Sequence, residues 1–80
     1  MINDKENNGK KCESNHVFDL RDGDAIESKC KEECETNEEC VAFSAEWNNW
    51  CVGCETTLTE SSIGAITFRK SGIHFFMRIL

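Results

Sequence analysis

Two spacings of apolar residues divide the middle of this chain. Ile26, Cys30 and Cys34 recur at every fourth position, which is the repeat of one helix face. The spacing predicts a helix from about Ala25 to Glu35, with Lys29, Lys31, Glu32 and Glu35 mostly on its wet side. Arg21-Asp22-Gly23-Asp24 is a turn before it. Asp24 is placed to cap the helix, and Glu27, three residues on, completes the pattern of a capping box. From Cys40 the repeat shortens to two. Val41, Phe43 and Ala45 then share one face of a strand, and Cys40, Ala42 and Ser44 the other. Glu46 to Asn49 reads as a turn, helped by Asn48-Asn49, and Trp50 to Cys54 returns as the partner strand.

The flanks are weaker in pattern. Val17, Phe18 and Leu20 mark a first strand within Cys12–Leu20, and Ile66 and Phe68 mark another within Ile63–Arg69. Between the hairpin and that last strand, Glu55 to Ser62 is a polar, Thr/Ser-rich loop around Leu58. After a turn at Ser71-Gly72, the segment Ile73–Leu80 alternates Ile73, Phe75, Met77 and Ile79 on one face. Phe76 and Leu80 make the other face apolar too, so it reads as a buried strand or an interface. Residues 1–11 are polar and charged and read as a loose N-terminal segment. The expected organisation is therefore one domain over residues 12–80, with 71–80 as an apolar terminal strand or interface tail.

Size changes the picture because 80 residues bury only about 60–70% of the surface their unfolded chain exposes. A core alone is marginal at that length, and a covalent or metal staple is expected. Six cysteines supply it, and an even count in so small a domain points to disulfides and an oxidising compartment. The N-terminus lacks the apolar run of a secretory signal, so either a leader has been removed or the chain is a piece of a longer one. The formal charge of −6 disfavours nucleic acid and anionic membranes, which need basic patches. No apolar run is long enough for a transmembrane helix.

Geometry narrows the cysteine pairings. Cys30 and Cys34 sit one turn apart on the same helix face, both able to reach a strand beneath. Cys34 and Cys40 would close a short loop at the helix end. In an extended strand Cys51 and Cys54 face opposite ways and lie about 10 Å apart, too far for a bridge. The expected set is Cys34–Cys40 and Cys30–Cys51, leaving Cys12–Cys54.

The run Cys30-x3-Cys34-x5-Cys40-x-Ala42-Phe43-Ser44, followed by Cys51-Val52, resembles the core of the PAN/apple domain family. So do the first strand with Cys12 and the segment Gly64-Ala65-Ile66-Thr67-Phe68. The likeness covers roughly residues 12–70. It implies one helix clamped by two disulfides to a small curved antiparallel sheet, and a binding module for protein or carbohydrate. The chain departs from the family in having no cysteine after Cys54 to join terminal strands, and in holding Ala45 where an aromatic residue is common.

The same residues admit other chemistries. Cys51-x2-Cys54 is half of a zinc pair that Cys30, Cys34, Cys40 and His74 could complete, but the helical x3 pair suits bridges better. Cys51-Val52-Gly53-Cys54 lacks the following helix that lowers a redox thiol's pKa. Asp19, Asp22, Asp24 and Glu27 suggest calcium, yet Arg21 and Gly23 stand where an EF-hand loop needs oxygen ligands; capping and turn formation account for them. His16 and His74 stand without a nucleophile context. No cofactor, no metal and no enzymatic activity are expected.

The expectation is thus a small disulfide-stapled α+β recognition or adhesion module, secreted or in an oxidising lumen. Its partner would be a protein or a neutral glycan, since the acidic balance opposes polyanions. Trp47, Asn48, Asn49 and Trp50 are the candidate binding residues, because aromatic faces beside amides suit sugars or protein hot spots; core packing competes for both rings. The alternative is a structural accessory subunit of a larger assembly, docking through Phe75, Phe76, Met77, Ile79 and Leu80.

Overall fold

The computed structural model describes residues 1–12, 16–56 and 58–70. Its main sheet has five antiparallel strands. In chain order the strands are β1 (Ile2–Asn3), β2 (Lys10–Lys11), β3 (His16–Arg21), β4 (Ala42–Glu46), β5 (Trp50–Cys54), β6 (Glu60–Ser61) and β7 (Ile66–Arg69). The sheet order is β1-β7-β4-β5-β3, and β2 pairs with β6 in a separate two-stranded ribbon. One helix, α1 (Glu27–Thr36), packs on the sheet. The protein is a small α+β domain with three disulfides.

Alternation along β4 and β5 sends side chains into two separate apolar clusters. Phe43, Ala45 and Cys51 join Cys30, Cys34, Cys40 and Phe68 under the helix. Ala42, Val52 and Cys54 join Cys12 and Leu58 on the other face, with Trp50 packed against them. Both α1 cysteines are buried, as their spacing predicts. Among the described residues Phe43 is the largest fully buried side chain. Its ring stacks on Phe68 at 5.1 Å between centroids and meets Phe18 at 6.3 Å.

The bridges are Cys12–Cys54, Cys30–Cys51 and Cys34–Cys40. They are nested, each closed loop lying inside the next. Cys51 and Cys54 point to opposite faces of β5, so one strand is tied to the helix on one side and to the N-terminal limb on the other.

Several expectations are corrected. The helix begins at Glu27 and takes Ile26 as its N-cap, with no side-chain cap. A 3₁₀ turn at Asp22–Asp24 intervenes, and Ala25 behind it is fully buried. Asp24 is thus too early to cap, and its carboxylate accepts from Lys29 Nζ at 2.7 Å instead. Cys40 lies in the helix-side cluster although strand alternation placed it on the opposite face, because β4 begins only at Ala42. The last described strand starts at Ile66; Ile63, expected inside it, is 94% exposed at a turn where Gly64 has φ +92°.

Residues 1–11 were expected to be loose, and the structure pairs them instead. β1 extends the main sheet beside β7, and β2 makes the ribbon with β6. The reason is local. Thr67 is fully buried on β7, and this segment supplies its partners. Asp4 N–H donates to the Thr67 carbonyl at 2.8 Å, Thr67 N–H to Asn8 Oδ1 at 3.0 Å, and the Thr67 hydroxyl to the Asn7 carbonyl at 2.8 Å. A buried residue with three polar groups needs partners for all of them. The tail residues Phe75, Phe76, Met77, Ile79 and Leu80, and His74, lie outside the described residues.

Candidate functional site

The hairpin turn is built from Trp47, Asn48 and Asn49, and its polar atoms are mostly engaged in folding. Asn48 has φ 65°, a left-handed conformation that Asn adopts more readily than most residues. Its N–H donates to the Ala25 carbonyl at 2.8 Å, and the Asn49 carbonyl accepts from Asp22 N–H at 2.9 Å. The turn is thereby latched to the bend that precedes the helix. Trp47 packs at the edge of the helix-side cluster, its ring 6.4 Å from Phe43 and 6.1 Å from Phe68. Trp50 lies on the other face with Lys11 Nζ 5.7 Å from its ring centroid. The two indoles thus belong to opposite sides of the sheet, and the four residues do not share one binding face.

Asp19, Asp22, Asp24 and Glu27 each face a cation or serve a turn. Arg21 donates to both Asp19 oxygens, at 2.7 and 3.0 Å, which raises the guanidinium pKa further. Lys29 hydrogen-bonds Asp24 and holds its carboxyl below the usual range. Lys31 donates to Glu27 across one helical turn at 2.7 Å. Asp22 sits at φ 52° in the 3₁₀ turn. All six sulfurs are in bridges.

A cleft of about 330 Å³ opens at the end of the main sheet where β4 begins and β7 finishes. Its apolar lining is Val41, Ala42 and Leu58, and its polar lining is Asp4, Asn7, Thr56, Arg69 and Lys70. The elements that hold these residues are pinned by sulfur. Val41 follows Cys40 of the Cys34–Cys40 bridge, and Ala42 and Leu58 pack around the Cys12–Cys54 bridge. Arg69 ends β7, where Ile2 flanks it on one side and Ala42 on the other. Its Nε lies 3.9 Å from Asp4 Oδ2, an ion pair without a hydrogen bond. Asp4 Oδ2 already accepts from Asn7 Nδ2 at 2.7 Å. Lys70 Nζ donates to the Asn37 carbonyl at 2.9 Å.

No sequence pattern marks this cleft. Two of its five polar lining residues, Asp4 and Asn7, come from residues 1–11, where strands of two residues are too short to leave an alternating pattern. The nearest signal is Asp4-x-x-Asn7, a spacing that lets the two side chains bond across one tight turn.

Set against protein-family models, curated proteins and solved structures, the chain matches none. Among the described residues no helix is long and apolar enough to cross a membrane.

Proposed function

We propose that the chain is a PAN/apple-like recognition module that binds a protein or carbohydrate ligand without catalysing a reaction. The setting is secreted or an oxidising lumen. The observation that carries the reading is a preformed cleft whose walls are attached to disulfides. A site held in shape before binding loses less conformational freedom on complex formation. Its volume is at the lower end of the roughly 300–1,000 Å³ usual for small-ligand sites. The helix bridged through Cys30–Cys51 and Cys34–Cys40 also agrees with the arrangement that the family resemblance implies. The three bridges are compatible with an oxidising environment.

Two measurements test this. The intact protein isolated from its source should gain two hydrogens of mass per bridge on reduction; an unchanged mass would remove the oxidising setting. Isotope-labelled protein should be titrated with ligands chosen from arrays of glycans and extracellular proteins. Amide shifts are expected at Val41, Ala42, Leu58 and Arg69. Shifts confined to residues 47–50 would move the site to the hairpin, and no binding across the arrays would end the recognition reading.

A further inference from the structure

We infer that Asn8 is a modification site that the fold holds shut. When the N-terminal limb leaves β7, the Asn8 side-chain amide converts to aspartate and isoaspartate, and the isoaspartate form does not re-pair with β7 as before.

Of the seven asparagines in the chain, only Asn8 precedes a glycine. The nitrogen after an asparagine can attack the side-chain carbonyl carbon, and glycine, having no side chain, leaves that nitrogen least shielded. The bond that forms joins Gly9 N to Asn8 Cγ, and the bond that breaks joins Cγ to the side-chain nitrogen. That nitrogen takes the proton lost by Gly9 and leaves as ammonia. Water then opens the succinimide ring. Opening at Cγ gives aspartate. Opening at the main-chain carbonyl gives isoaspartate, in which the chain runs through Cγ.

The fold itself calls for this vulnerable pair. Gly9 has φ +85°, a left-handed conformation that glycine adopts without steric cost. Asn8 supplies the acceptor for the N–H of buried Thr67, 3.0 Å from its Oδ1.

The same contacts block the reaction. Asn8 is exposed, so water reaches it and geometry is the barrier. Ring closure requires the Gly9 nitrogen to eclipse the Asn8 side chain, and at φ −57°, ψ 140° the two stand well apart about the Cα–C bond. Turning that bond is resisted on all sides. Gly9 N–H donates to the Ala65 carbonyl at 2.8 Å, Ser62 N–H donates to the Gly9 carbonyl at 2.7 Å, and the Thr67 hydroxyl donates to the Asn7 carbonyl at 2.8 Å. Sulfur does not hold this segment, which lies outside the Cys12–Cys54 loop. The limb can therefore open, and Asn8 react, with every bridge intact.

The product decides whether the limb closes again. Asn8 meets Thr67 N–H with its side-chain carbonyl, and the Ala65 carbonyl is met by the next main-chain N–H. In isoaspartate these two groups belong to one planar trans amide, whose C=O and N–H point in opposite directions. One of the two bonds is then lost. Aspartate keeps a side-chain oxygen for Thr67 N–H and an unaltered main chain.

The full chain with its bridges intact should be incubated at mildly alkaline pH, folded and in concentrated urea. Cleavage after Lys5 and Lys10 releases a peptide whose asparagine, aspartate and isoaspartate forms separate on chromatography. Conversion of Asn8 should be at least roughly tenfold slower in the folded chain, because several hydrogen bonds must open before attack. Equal or faster conversion in the folded chain, or none in urea, would overturn the inference. After removal of urea, the isoaspartate form should lose hydrogen-exchange protection at the Thr67 or the Gly9 amide. The Asn8→Asp variant should keep both. Full protection in the isoaspartate form, or equal loss in Asn8→Asp, would overturn the one-way release of the limb.

Discussion

Gly53 and Ser44 show how closely single side chains are constrained in this sheet. Gly53 pairs with Phe18 across β3 and β5, and a methyl group at Gly53 would run into the Phe18 ring and meet Val17 Cγ2 at 3.0 Å. Gly53→Ala should therefore cost about 1–3 kcal/mol through overpacking, read from the shift in a urea unfolding midpoint at unchanged slope; a midpoint equal to wild type would mean Phe18 swings aside freely. Ser44 presents the opposite case. Its hydroxyl is fully buried and has no hydrogen-bond partner among the described residues. Ser44→Ala removes a desolvated group that gains nothing in return, so it should leave stability unchanged or raise it by up to about 1–3 kcal/mol. Loss of stability would reveal a partner for Oγ. Asp24 is fully exposed, and Lys29 depresses its pKa chiefly through their hydrogen bond. A depressed carboxyl stabilises the fold above its unfolded pKa, and that contribution fades as pH falls through the folded value. Lys29→Met should return Asp24 to the ordinary carboxylate range in an NMR pH titration. It should scarcely alter the melting temperature at neutral pH, because exposed ion pairs contribute little.

Among the elements, the helix and the β4–β5 hairpin were readable from spacing alone. Cys30 and Cys34 at a four-residue interval face the sheet together, and the opposed facing of Cys51 and Cys54 on β5 gives each a different partner. The elements misread are those that tertiary contacts decide. Asp24 has the chemistry of a cap, but the burial of Ala25 spends those residues on a 3₁₀ turn. β1 and β2 are too short for any periodicity to betray them; buried Thr67 and the pairing partners β7 and β6 hold them. Trp47, a residue for which packing and ligand contact compete in the sequence, sits with its ring beside Phe43 and Phe68. The bridges should differ in their contribution. Cys12–Cys54 spans 42 positions and Cys34–Cys40 spans 6, for which the chain-entropy relation gives about 4 and about 2 kcal/mol. Replacing both cysteines of the long pair with Ser should lower the guanidinium midpoint more than replacing both of the short pair; the reverse order would mean that the short bridge acts chiefly on the folded state.

Across the full domain, the N-terminal limb is an integral part of the fold. It reaches both faces of the sheet, Met1 packing on the helix side and Lys11 against Trp50 on the other, supplies all three Thr67 partners, and provides Asp4 and Asn7 to the cleft. Deleting residues 1–8 should cost several kcal/mol, since each buried group left unpaired costs roughly 1–3 kcal/mol. The Thr67 amide should then lose its hydrogen-exchange protection ahead of Phe43; equal protection of both would show that the limb is an ornament on a self-sufficient sheet. The nesting of the three bridges has a mechanical outcome. A pull applied at residues 1 and 80 would travel from Cys12 to Cys54 through sulfur, bypassing every residue between them, including α1 and the β4–β5 hairpin. Under tension the flanking strands would peel first and lengthen the tether, while the region inside the outer bridge carried almost no load.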